Sequence, residues 1–172
     1  MTRNALVLCC VLAFGALPNL SSAQDASVPA PGLDWYAFED AVNLAKETKK
    51  KVLVDVYAAW CPWCRRLQAE VYTDEAVRAY VEEHFVLTRL DAENQVDSVQ
   101  FKEHIVTPAD LSAGLGAQGF PTTVFLDEES EYITRLPGFI EAGEFVTVLS
   151  YIGSEAFVDQ TCEEYANALR GR

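Results

Sequence analysis

The sequence has few of the residues that build metal sites and disulfide scaffolds. Its 172 residues include two histidines and five cysteines. Cys9 and Cys10 fall within an apolar N-terminal run, so three cysteines remain for the folded part. A disulfide-stapled scaffold needs more cysteines, in an even number. A structural zinc site needs four ligands, and we predict no metal.

Basic residues are also scarce. There are 13 lysines and arginines against 26 aspartates and glutamates, which gives a formal net charge of -13. Non-specific nucleic-acid binding depends on a basic face that neutralises phosphates. We therefore predict no nucleic-acid partner. Half of the residues are apolar, which is enough for a buried core.

A hydrophobic run of membrane-spanning length is missing as well. The apolar run at residues 5–17 has about 13 residues, where a transmembrane helix needs about 20. It follows Arg3 and precedes the small residues Ser21 and Ala23, a pattern typical of a secretion signal. We predict that residues 1–23 are a signal peptide and that the protein is exported, to the periplasm. Secretion, or tethering to the membrane by an uncleaved signal, is the alternative.

Three cysteines then remain in an oxidising compartment, where thiols tend to pair. Cys61 and Cys64 form one close pair, and Cys162 is left over. This count indicates a working dithiol and a spare thiol. We expect Cys162 to be half-buried on an amphipathic helix. An intermolecular disulfide or exchange with the CxxC pair are its alternative roles.

The pattern of apolar residues predicts strands that alternate with helices and end in a hairpin, which is typical of an α/β sandwich with a largely buried sheet. Residues 24–34, with two prolines, are predicted to be a tether or an ordered arm. Residues 92–106 look polar and irregular. Helices are expected over 38–51, 62–71, 74–85, 107–116, 141–152 and 161–169, and strands over 52–59, 86–91, 122–127 and 132–138.

The stretch "AAWCPWCRRL" places a CxxC motif at the start of a helix. First-turn amides and the helix dipole stabilise an anion there, so Cys61 is placed to be a thiolate nucleophile. Cys64, one turn on, is placed to resolve a mixed disulfide. A zinc ligand pair or an inert structural disulfide are the alternatives. Haem attachment would need a histidine where Arg65 stands.

Two further residues belong with this motif. Asp55 interrupts an apolar strand, and a buried carboxylate is costly unless it is paired or functional. Burial would raise its pKa and make it a proton acceptor for the second thiol; alternatively it caps a strand end near water. Pro121 immediately precedes a strand. A cis bond there would expose the backbone of Phe120, whereas an ordinary trans proline is the alternative.

Together, "VDVYAAWCPWC" and "GFPTTVFLD" resemble the thioredoxin superfamily. The resemblance implies a three-layer α/β sandwich over residues 35–153, with a central mixed sheet flanked by helices. It also implies an insertion at about 92–106, before a cis-proline, and a C-terminal helical extension over 154–172.

The resemblance also implies roles for individual residues. It implies that Cys61 attacks, that Cys64 resolves and that Asp55 shuttles the proton. Arg89 matches a position where thioredoxins carry a lysine. It further implies a substrate-binding surface made of Trp60, Pro62, Trp63, Phe120 and Pro121.

The overall pattern is most similar to exported thioredoxin-like proteins, the group that includes the C-terminal domain of DsbD. We therefore predict a thiol–disulfide oxidoreductase that acts on protein thiols and disulfides and uses the Cys61–Cys64 pair without another cofactor. The uncharged Trp63 between the cysteines favours a reductase or exchange protein over a strong oxidase. A membrane thiol reductant of the DsbD kind is the implied electron donor. The alternative function is a binding or chaperone module with a structural disulfide.

Overall fold

The computed structural model describes residues 25–171, so the predicted signal peptide lies outside the described residues. Six helices and seven strands are present in this range. The strands are β1 (Trp35–Tyr36), β2 (Lys51–Tyr57), β3 (Phe85–Asp91), β4 (Val99–Phe101), β5 (His104–Val106), β6 (Thr122–Leu126) and β7 (Tyr132–Pro137). The helices are α1 (Phe38–Thr48), α2 (Pro62–Arg66), α3 (Glu75–His84), α4 (Pro108–Gly114), α5 (Ala142–Gly153) and α6 (Cys162–Arg170). A π-helical turn (Leu67–Val71) continues α2, and a 3₁₀ turn (Ala156–Val158) precedes α6.

The central sheet has five strands in the order β1-β3-β2-β6-β7. β1 and β2 run parallel to β3, whereas β6 runs antiparallel to β2 and to β7. β2 therefore lies in the middle, and its register places Asp55 between Arg89 of β3 and Thr123 of β6. The mixed sheet agrees with the predicted sandwich.

The two faces of the sheet bury two separate apolar clusters. Leu53 of β2 packs with residues of α3, α5 and the π turn. Val52, Val54 and Val56 pack on the other face, with residues of α1 and α4. Because side chains alternate along a strand, Asp55 shares its face with Leu53. The carboxylate therefore lies on the side of the sheet that carries the cysteine helix.

Helix starts follow the local signals in the sequence. The Asp74 carboxylate accepts the N–H groups of Ala76 and Val77 at the start of α3. Thr107 caps α4 ahead of Pro108, and Thr161 begins α6 with a capping box. Such caps satisfy amides that the first helical turn leaves free.

Three local features differ from the prediction. The segment at 92–106 contains the β4–β5 hairpin, whose Phe101 packs edge-on against Phe38 of α1 at 5.7 Å. Lys51 begins β2 rather than ending α1, because Lys49 adopts a left-handed conformation and ends the helix. Cys162 is an exposed free thiol at the first position of α6, not a half-buried one, because the apolar contacts of α6 lie further along the helix.

Residues 25–34, called here the N-terminal arm, lie against the domain. Ala26, Ala30 and Leu33 of the arm are buried. Within residues 25–171, none of the helices combines the length and the apolar character needed to cross a membrane.

Candidate active site

The two cysteines of the CxxC motif lie at the start of α2 and are joined by a disulfide. Pro62 occupies the first helical position, where its missing N–H costs nothing. Cys61 is the N-cap, and its Sγ accepts the N–H of Cys64 at 3.1 Å. Cys61 keeps a trace of exposure, whereas Cys64 is fully buried. Both cysteines are therefore buried, and the small exposed fraction of the pair belongs to Cys61.

Exposed aromatic side chains border the disulfide. Trp60 is 61% exposed and Trp63 is 51% exposed, which is high for side chains of this size. The Trp60 ring packs edge-on against Phe120 at 6.2 Å, and its Nε1–H donates to Glu93 at 2.9 Å. Phe120 in turn packs against the apolar cluster that includes both cysteines. The sequence-predicted residues Trp60 and Phe120 are thus brought together beside the disulfide.

Trp63 faces a different neighbour. Its ring lies 5.5 Å from that of Phe139, which follows β7. The Arg66 guanidinium stacks over Phe139 at 4.5 Å and over Trp63 at 5.5 Å, and it is held in place by an ion pair with Glu70 at 2.8 Å. A flat aromatic and cationic surface results on the α2 side of the motif.

Pro121 lies directly before β6 and is buried. The Phe120–Pro121 peptide bond is cis. The Pro121 carbonyl accepts the N–H of Gly138 at 2.8 Å, and the hydroxyl of Thr122 donates to the carbonyl of Gly119 at 2.7 Å. The loop before β6 is thereby fixed from both sides next to the disulfide.

Asp55 is fully buried in β2, which rules out the alternative that it caps a strand end near water. Its Oδ2 accepts a hydrogen bond from Nε of Arg89 at 2.8 Å and another from Nε2 of Gln68 at 2.7 Å. The Arg89 side chain is itself only 8% exposed. A buried carboxylate of this kind persists because both neighbours donate to it.

Two opposing influences act on the pKa of Asp55. Burial raises the pKa of its carboxyl above the ordinary value, because the charged form loses its hydration. The positive charge of Arg89 and the hydrogen bonds from Arg89 and Gln68 act in the other direction. Burial is the larger influence, so the carboxyl takes up a proton more readily than a surface aspartate does.

The arm completes the surroundings of Asp55. The Arg89 guanidinium donates to the carbonyls of Ala26 and Ser27, at 2.8 and 2.9 Å. Gln68 accepts the N–H of Ala30 at 2.7 Å. The backbone of the arm is therefore bonded to both side chains that hold the carboxylate.

Several of these residues escape sequence reasoning. Gln68 lies four residues after Cys64, which puts both on one helix face, and that spacing was the available signal. In the sequence, Arg66 offers only a charge near the motif. Phe139, Glu93 and the arm carbonyls reach the site through the fold alone. Among the residues described, no group of three or more histidine, cysteine or acidic side chains is arranged to hold a metal ion.

Two curated relatives share this sequence region. The thiol:disulfide interchange protein DsbD of Actinobacillus pleuropneumoniae serotype 5b (strain L20) is 30% identical over 125 residues, which are 67% of this chain and 20% of that protein. The disulfide bond reductase DsbH of Chlamydia pneumoniae is 24% identical over 139 residues, 80% of this chain and 82% of that protein. The chain thus spans about a fifth of the DsbD relative and most of the DsbH relative.

A solved structure supports the fold. A thioredoxin-fold protein from Helicobacter pylori superposes with a TM-score of 0.59 at 23% identity, covering 72% of this chain and 82% of that one. The family model described as a thioredoxin-like domain matches residues 38–153, which include the CxxC pair, Asp55 and Pro121. The chain belongs to the thioredoxin-like family of thiol–disulfide oxidoreductases.

Proposed function

We propose that the protein is an exported oxidoreductase that exchanges the Cys61–Cys64 pair with disulfides and thiols of other proteins. The observation that carries this proposal is the disulfide at the start of α2, in which Cys61 keeps 2% exposure and Cys64 is fully buried. A nucleophilic cysteine must be reachable by its substrate, and a resolving cysteine must reach the first sulfur. The pair itself is the redox centre, with no further cofactor.

In the reducing direction, the Cys61 thiolate attacks one sulfur of a substrate disulfide. An S–S bond forms between Cys61 and the substrate, the substrate's own disulfide breaks, and one substrate sulfur leaves with the electron pair. Cys64 then loses its proton to Asp55 and attacks Sγ of Cys61. The mixed disulfide breaks, the second substrate thiol is released, and the protein is left oxidised by two electrons.

The surface around the disulfide suits a protein substrate. Trp60, Trp63 and Phe120 offer exposed or half-exposed aromatic area beside Cys61, the kind of side chain that dominates protein contacts. We assign substrate contact to these three residues together with Pro62 and Pro121. The backbone of Phe120, next to Pro121, would pair with an extended substrate segment.

The direction that we propose is reduction or exchange. Trp63 carries no charge to stabilise a thiolate between the cysteines, and the DsbH relative bears the name of a disulfide bond reductase. An exported reductase needs a source of electrons, and a membrane thiol reductant of the DsbD kind would supply them. The predicted signal peptide at residues 1–23 supports export to the periplasm.

Insulin reduction in the presence of dithiothreitol tests the exchange activity. Cys61→Ser should reduce the rate to the uncatalysed background, because the nucleophile is lost. Cys162→Ser is the matched control, since it makes the same substitution at an exposed thiol far from the motif in sequence, and it should keep the parent rate.

Equal activity of the parent and Cys61→Ser would reject redox catalysis. It would favour the second candidate, a binding module that uses the exposed Trp60 and Trp63 as an apolar docking surface. Equilibration of the pair with glutathione tests the direction separately. A reduction potential above about -150 mV would identify an oxidant rather than a reductase.

A further inference from the structure

The N-terminal arm lies beside the disulfide and over Asp55. Ala26 is fully buried and belongs to the same apolar cluster as Ala58, Cys61 and Cys64. Its N–H donates to the carbonyl of Ala59 at 3.2 Å. The arm therefore lies against the CxxC motif and the residue that precedes Trp60.

The arm is joined to Asp55 through Arg89. One guanidinium nitrogen, Nε, donates to Oδ2 of Asp55 at 2.8 Å. The other two donate to the carbonyls of Ala26 and Ser27. Because the guanidinium is planar and rigid, the arm carbonyls fix the direction from which Nε approaches the carboxylate.

A second connection runs through Gln68. Its Oε1 accepts the N–H of Ala30 at 2.7 Å, and its Nε2 donates to Oδ2 of Asp55 at the same distance. A side-chain amide has one acceptor oxygen and one donor nitrogen. Since the arm holds the oxygen, the nitrogen is directed at the carboxylate.

These two connections use the same carboxylate oxygen. Oδ2 of Asp55 receives both hydrogen bonds, whereas Oδ1 is buried and has no hydrogen-bond partner among the described residues. We propose that the arm is a positioning element for Asp55, which saturates Oδ2 through Arg89 and Gln68 and leaves Oδ1 as the oxygen that takes the proton of Cys64. This inference rests on the proposed exchange function.

The S–H bond of Cys64 breaks and its proton goes to Oδ1, while the Cys64 sulfur forms a bond to Sγ of Cys61. The bond between Cys61 and the substrate breaks, and its electron pair leaves with the substrate sulfur. The proton later passes from Asp55 to water.

The other titratable groups near Asp55 do not compete for this proton. Arg89 faces it from β3, Tyr72 from the end of the π turn and Tyr57 from its own strand. Burial raises the pKa of both tyrosines above their ordinary value, so both stay neutral in the acid and neutral range. Asp25 of the arm and Asp91 of β3 influence Tyr57.

NMR on the parent protein tests the connection without any substitution. The side-chain carboxyl carbon of Asp55 gives the pH at which this group titrates. If Gln68 links Ala30 to the carboxylate, the amide signal of Ala30 should change with the same midpoint. The amide of Leu33, further along the arm, should not follow that midpoint. An Ala30 amide that does not follow Asp55 would overturn the proposal.

A pair of substitutions tests the positioning role. Ala26→Phe puts a large neutral side chain at a fully buried position, so the arm must move away. Water would then reach Asp55, and its titration should move to lower pH by about one unit. Val28→Phe adds the same side chain at a position that is 56% exposed and should leave the titration unchanged.

The rate of mixed-disulfide release should show the same difference. This step needs the carboxylate form of Asp55, so the rise of the rate with pH should shift to lower pH in Ala26→Phe and stay in place in Val28→Phe. If Asp55 titrates at the same pH in the parent and in Ala26→Phe, the proposed role of the arm is wrong. A parent protein without exchange activity would instead reject the proposed function, because the carbon titration does not depend on turnover.

Discussion

β2 buries two charged side chains, Asp55 near its middle and Lys51 at its first residue. Their ion-pair partners differ in exposure. Lys51 pairs with Glu155 at 2.9 Å, and the glutamate side chain is 62% exposed. Asp55 pairs with Arg89 at 2.8 Å, and the arginine side chain is only 8% exposed. One buried charge reaches a hydrated partner, whereas the other is enclosed with its partner.

The exposure of the partner distinguishes a buried charge that supports the fold from one that is suited to proton chemistry. A lysine stem can lie in apolar surroundings while its ammonium reaches the surface, so Lys51 anchors the segment after α5 at little cost. A short aspartate in mid-strand has no such route, and its enclosure raises its pKa. An enclosed carboxyl with a raised pKa, in the same domain as a reactive cysteine pair, is typical of a functional site. Within one strand, Lys51 thus serves support, whereas proton transfer is the role that we propose for Asp55.

The largest expected effect comes from Asp55→Asn. An amide of the same shape cannot accept the Cys64 proton, so release of the mixed disulfide at neutral pH should slow by about 100-fold. Single-turnover reaction with a disulfide peptide, followed by acid quench and mass spectrometry, measures this step. Lys51→Met should release the peptide at the parent rate. A parent-like rate in Asp55→Asn would place the proton acceptor elsewhere.

The same variant should change how stability depends on pH. The pKa of Asp55 is raised in the folded protein, so its favourable contribution is complete below the unfolded pKa of about 4. That contribution is lost as pH rises through the folded value, because a buried carboxylate must then be charged. The free energy of unfolding of Asp55→Asn, relative to the parent, should therefore increase with pH over this window. Urea unfolding at a series of pH values measures it, and a flat difference would contradict the enclosure of Asp55.

Lys51→Met should have a smaller effect. Its stem remains buried as a methionine side chain, and Glu155 stays hydrated when the ammonium is removed. We expect the free energy of unfolding to change by no more than about 1 kcal/mol, as for pairs with one exposed partner. A loss of several kcal/mol in urea unfolding would show that Lys51 is as enclosed as Asp55.

Glu155→Gln should have the smallest effect. The side chain is mostly exposed, so loss of its charge should lower stability by about 0.5 kcal/mol or less. Added salt should weaken the pair in the parent and remove the difference between parent and variant. A difference that persists in high salt would indicate that the Lys51–Glu155 pair is shielded from solvent.

Much of the architecture follows from local signals. The helix starts at Asp74, Thr107 and Thr161 carry their own caps, and the valines of β2 indicate a central strand. The hairpin at 92–106 was missed because its strands are three residues long and half exposed. β1 has only two residues, too few for a periodic pattern.

The site also contains some residues that the sequence identifies and others that it does not. Cys61, Cys64 and Asp55 stand out because their residue types are unusual in those positions. Gln68 does not, since a glutamine on a helix is ordinary until the fold places Asp55 and the arm on either side of it. The two prolines of the arm predict only a tether or an ordered arm. The arm contacts Arg89 and Gln68 through its backbone carbonyl and N–H groups. Every residue has these groups, so no sequence pattern identifies them.

The position of the arm has a practical consequence. Ala26 lies in one apolar cluster with the disulfide cysteines, whereas the chain after α5 is anchored at Lys51, where β2 begins. A label, an affinity tag or a solid support attached just ahead of Asp25 is held next to the redox centre and would crowd an incoming protein. The same attachment after α6 leaves that end of the molecule open, so immobilised assays of this protein should use the C-terminal side.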